Sequence, residues 1–102
     1  MRVRLEEEAN MHPSGNKTLA GEVENGKVVL SVRRGTADDI TFYTRRENEP
    51  DFIALEDDGE RIVDDRPKLD PARPETRRYF AMLLYGGDET RLKSNEVVLT
   101  VP

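Results

Sequence analysis

Apolar residues in this chain recur at every second position in short runs, with no convincing stretch at the three-to-four-residue spacing of an amphipathic helix. A two-residue period sends one row of side chains into a core and the next toward water, so it restricts the fold to paired strands. Val28, Leu30 and Val32 alternate with Val29, Ser31 and Arg33, and Ile40, Phe42 and Thr44 alternate with Thr41, Tyr43 and Arg45. Upstream, Leu19, Gly21 and Val23 share one face of residues 17–23. Asn25-Gly26 follows, a pair that tolerates the positive φ of a tight hairpin turn, so residues 17–34 are expected to form one hairpin.

Further runs at 39–46, 52–56, 61–65, 79–85 and 95–101 are bounded by Gly, Pro, Asn and Asp. The run at 61–65 is short enough for a sheet edge. Residues 66–75 hold three prolines, none able to donate to a ladder, and read as a loop crossing between sheets. About seven strands at such spacing predict an all-β fold, a two-sheet antiparallel β-sandwich. Residues 17–102 form that domain, and residues 1–16 are an N-terminal extension or an edge strand.

Charged residues make up 36% of the chain and hydrophobic ones 35%, so the apolar set must be concentrated in these clusters to sustain a core. The formal net charge of -5 repels nucleic acid and anionic lipid, and neither is an expected partner. Without cysteine there is no disulfide framework, zinc finger, thiol nucleophile or redox motif. No run approaches the ~18 apolar residues of a spanning helix, and the N-terminus is too polar for a secretory signal. The chain is expected to be soluble, and cytoplasmic unless it is a processed or excised piece.

The order of features from Val28 to Pro102 resembles a fibronectin type III domain, especially the divergent versions in bacterial proteins. KVVLSVRRG resembles that family's second strand and ADDITFYTRR its third. LDPARPETRRYFAMLLY resembles its proline-containing crossover and penultimate strand, in which a tyrosine opens an alternating inward row, here Tyr79, Ala81, Leu83 and Tyr85. KSNEVVLTVP resembles its last strand. The family's second strand usually carries a core tryptophan; this chain has none, and Val32 stands at that position. The resemblance implies an immunoglobulin/fibronectin type III-like sandwich serving as a non-catalytic module that spaces domains or binds partners.

The residue inventory points away from catalysis, metals and cofactors. His12, the one histidine, lies in a polar Pro/Gly segment where no base is held rigidly. A working acid-base pair needs one carboxylate taken out of water, and the acids here cluster in turns expected to be solvated, as at Asp38-Asp39, Asp57-Asp58 and Asp64-Asp65. EDDGE at 56–60 has the charge of a calcium loop but not its alternating spacing. Three arginine pairs, 33-34, 45-46 and 77-78, are expected to form ion pairs with Glu47, Glu49 and Glu96, with Arg45 and Arg78 on one outer face.

If Tyr79 to Tyr85 is a strand with its odd-numbered residues inward, Phe80, Met82 and Leu84 point outward. In the family's topology this strand pairs with the third and the last, which bring Tyr43 and Val98 to the same side. Such a patch spans roughly several hundred Å2 and marks an interaction site. Either residues 1–16 fold back over it, or a second copy (a homodimer) or a neighbouring domain packs there. The expected function is a protein-interaction or spacer module acting through this face. The alternative is a carbohydrate-binding sandwich, for which Tyr43 is the one outward aromatic platform.

Overall fold

The structure is a computed structural model and describes residues 18–55, 59–86 and 90–102. Residues 1–16, His12 among them, and the Glu56–Asp58 part of EDDGE lie outside the described residues. The elements are β1 (Ala20–Glu24), β2 (Lys27–Ser31), β3 (Asp39–Arg46), β4 (Ile53–Leu55), β5 (Arg61–Asp64), β6 (Glu75–Tyr85), β7 (Thr90–Lys93) and β8 (Val97–Val101). They form two antiparallel sheets packed as a β-sandwich. One has the order β1-β2-β5. The other has the order β4-β3-β6-β7, with β8 also paired to β6.

The β1–β2 hairpin turns where Asn25-Gly26 requires. Glu24 pairs with Lys27, and the two turn residues take φ of 53° and 78°, both in the left-handed region that a two-residue primed turn uses. β5 is an edge strand, and residues 65–74 carry the chain from its sheet to the other. The core lies between the sheets, with Val28, Leu30 and Val32 from one side and Ile40, Phe42, Tyr79, Ala81 and Leu83 from the other. Leu19 and Val101 close its margin. Gly21 of β1 lies against Leu30 of its own sheet and against β8 of the facing one. A Cβ there would lie 2.9 Å from Leu30, 3.0 Å from Leu99 and 3.2 Å from Val97. Gly21→Val is therefore expected to overpack this contact and cost about 1–3 kcal/mol. Thermal unfolding checks it, and an unchanged midpoint would mean that the sheets part freely at this point.

Two elements differ from the sequence expectation. The connection expected before the last strand holds a strand of its own, β7, and Ser94, Asn95 and Glu96 separate it from β8, the expected last strand, which begins at Val97 instead of Asn95. Ser94 N–H donates to the Ala81 carbonyl, while the Ala81 N–H donates to Ser94 Oγ, each at 2.8 Å, so a hydroxyl stands in for a strand carbonyl and the ladder bends without a lost bond. Asn95 uses the bend to hold the start of β1, accepting from Leu19 N–H at 2.7 Å and donating to Leu19 O at 3.1 Å.

The second difference lies at the start of β6, at Glu75, where Arg77 is buried and paired with Glu75 and Asp64 instead of with a surface glutamate. Arg46 and Arg77 sit directly opposite each other, facing inward. Like charges in register repel, and Glu75 Oε2 relieves them by accepting from both Nε atoms. Arg77, with no exposed surface, also reaches Asp64 Oδ2 at 3.4 Å and the Arg66 carbonyl at 2.9 Å. Arg46 donates to the Pro67 carbonyl at 3.0 Å and pairs with Glu49. The guanidinium groups thus fasten the proline-rich crossover, whose prolines supply acceptors but no donors. Asp64 corrects the solvated-turn expectation. It is 3% exposed and accepts from Tyr79 Oη at 2.7 Å and Arg66 Nε at 2.8 Å.

Candidate interaction face

The outer face of the five-stranded sheet is assembled by register. β3 and β6 place Asp39 opposite Leu84, Thr41 opposite Met82, Tyr43 opposite Phe80 and Arg45 opposite Arg78. β7 adds Lys93 beside Met82 and Arg91 beside Leu84, and β8 adds Val98 beside Arg78. The alternation read from the sequence holds. Tyr79, Ala81, Leu83 and Tyr85 are buried in the core, while Tyr43, Phe80, Met82, Leu84 and Val98 share the opposite face.

The shelter of that row differs from expectation. Phe80 is only 9% exposed, and the described neighbours that stand against it come from its own sheet. The Tyr43 ring stacks on it with centroids 4.9 Å apart and planes 11° off parallel. Phe52, just before β4, meets it edge-on at 4.9 Å and 71°. Lys93 Nζ lies 4.5 Å from the Phe80 centroid, within cation–π range, and the Arg45 guanidinium lies 5.7 Å from that of Phe52. Met82, Leu84 and Tyr43 are half-buried, whereas Val98, opposite Arg78, is 49% exposed. Phe52 and Lys93 were missed by the sequence reading. Phe52 opened the expected run at 52–56, whose successive apolar residues mark no face, and Lys93 sat in what read as a connection.

Electrostatics at this face centre on the Arg45–Arg78 pair, cross-strand neighbours of like charge. Arg45 turns aside, its Nη1 donating to the Glu49 carbonyl at 2.8 Å. Arg78 Nη1 stands 4.0 Å from Glu96 Oε1, and Lys93 Nζ stands 3.5 Å from Glu96 Oε2, so one exposed carboxylate is divided between two cations. The expected pairs Arg46–Glu49 and Arg78–Glu96 are both present. Arg77 instead pairs with Glu75 and Asp64.

Comparison with known proteins returns no match. No family model, curated protein or solved structure matches the chain. Among the described residues no three His, Cys, Asp or Glu side chains converge as a metal set, and no helix is long and apolar enough to cross a membrane. This face presents an aromatic centre, an exposed aliphatic at Val98 and a cationic rim.

Proposed function

We propose that this chain is a non-catalytic module of fibronectin type III-like character that binds or spaces protein partners, self-associating or packing on a neighbouring domain through the outer face of its five-stranded sheet. The family reading draws support from strand order, since β6 pairs with β3 on one side and with β7 and β8 on the other. The interaction reading is carried by one observation. The most continuously apolar strand, β6, has a second apolar row beyond the core, and that row meets an exposed Val98 and half-buried Met82 and Leu84. Burying such surface at about 25 cal/mol per Å2 biases association without fixing affinity.

Sedimentation of the full chain beside Leu84→Glu/Val98→Glu tests the reading, because both side chains are solvent-accessible and leave the Phe80 stack intact. The expected result is an assembly, or a complex with the adjoining domain, that the double variant dissociates without lowering the unfolding midpoint. A monomer that binds nothing before or after the change overturns it. A sugar platform is disfavoured by the Tyr43 ring, one face of which is occupied by Phe80.

A further inference from the structure

We infer that the outer face of the five-stranded sheet docks a partner polypeptide whose contacting segment is acidic and carries apolar side chains, and that it does not close face-to-face on a second copy. This inference deepens the interaction reading above and rests on it. In a chain of net charge -5, the centre of this face has the opposite sign. Arg45, Arg78 and Lys93, from three different strands, surround Phe80, and among the described residues one carboxylate, that of Glu96, lies with them. Asp39 and Arg91 occupy the far row beside Leu84 and offset each other.

Arg45 donates to the Glu49 carbonyl at 2.8 Å, but Arg78 and Lys93 are held loosely, in contrast to the cations at the other face of the same strands. Arg46 and Arg77 are buried and tied to carboxylates and carbonyls within 3.4 Å, whereas Arg78 and Lys93 are about half exposed and share Glu96 at 4.0 and 3.5 Å. Exposed pairs at such distances contribute little, so an incoming carboxylate gains attraction without having to displace a strong internal bond. Val98 beside Arg78, and Met82 beside Lys93, supply aliphatic contacts between the cations, which suit a segment alternating acidic with apolar residues. A two-fold dimer through this face would set the cationic centre against its own copy, which like-charge repulsion opposes.

The test uses the full chain and two dye-labelled extended peptides, one alternating Glu with Leu and one alternating Lys with Leu. Polarisation measures affinity, and amide shifts of Tyr43, Arg78, Phe80, Lys93 and Val98 locate the site. The Glu peptide is expected to bind at least roughly tenfold tighter, and to weaken as ionic strength rises from about 20 to about 300 mM. Arg78→Glu/Lys93→Glu, at two half-exposed positions, is expected to reverse the preference. Equal binding of both peptides at this face overturns the charge selectivity while the interface reading stands. A dimer whose dilution shifts these same amides overturns the exclusion of face-to-face pairing. Silence of the face toward both peptides, in a monomeric protein, overturns both readings.

Discussion

Asp64→Ala is expected to cost about 3–5 kcal/mol, a large part of the roughly 5–15 kcal/mol that holds a domain of this size together. The Asp64 carboxylate is buried and accepts from Arg66 through N–H, Nε and Nη2, from Tyr79 Oη and from Arg77 Nη1. Removing it leaves the Arg77 guanidinium, which has no exposed surface, with only Glu75 and the Arg66 carbonyl as acceptors, and leaves the Tyr79 hydroxyl without its acceptor. Arg66 is nearer the surface and turns to water, so the cost concentrates on the two β6 side chains. Breaking one member of a buried charge network is far more harmful than removing the network whole. The triple variant Asp64→Leu/Arg77→Met/Tyr79→Phe is therefore expected to recover most of the loss. Urea unfolding of the three proteins decides the matter. A loss below about 1 kcal/mol for Asp64→Ala would mean that the charges are solvated and the crossover is not fastened by them.

The same network explains what the sequence did not disclose. The inward row of β6 from Tyr79 onward was legible because alternation of uncharged residues has one reading on a strand. Strand parity also set Arg78 on the outer face with Arg45, but it did not disclose that Arg77, on the inner row, would meet Arg46 and share Glu75 with it, which only the register brings about. Asp64 was read from its neighbour Asp65 as a turn acid, yet a single residue of strand parity separates a buried side chain from an exposed one. On the outer face, parity placed Tyr43, Phe80, Met82, Leu84 and Val98 together. It gave no account of lateral shelter, which depends on a phenylalanine before β4 and on the reach of a lysine from β7. The hairpin was plain from two residues, because few pairs other than Asn-Gly accept two consecutive positive φ angles.

Stability is expected to hold steady across the neutral range and to fall on both sides, with Tyr79 governing the alkaline limb. Burial first, and then the hydrogen bond and negative charge of Asp64, push the Tyr79 phenol up to about 12. An unfolded tyrosine titrates near ~10. The folded chain therefore holds this proton more tightly, and the associated stability is complete below about pH 10 and disappears as pH rises toward 12, a loss of about 3 kcal/mol. The acid limb has the opposite sign. Burial alone would raise Asp64 and Glu75, but hydrogen bonds from Arg66 and Tyr79 to the former, and from Leu69 N–H, Arg77 and Arg46 to the latter, outweigh it and hold both below the ordinary carboxylate value. Their contribution is present above about pH 4 and is lost as pH falls through the lowered folded values. Tyr79→Phe separates the limbs, since it removes the phenol and leaves the carboxylates with their arginines. Its stability is expected to start about 1 kcal/mol lower at neutral pH, from the lost hydrogen bond, and to lack the extra decline of the parent between pH 10 and 12. Parallel decline of the two proteins over that interval, followed by urea unfolding, would place the Tyr79 hydroxyl in water and detach it from Asp64.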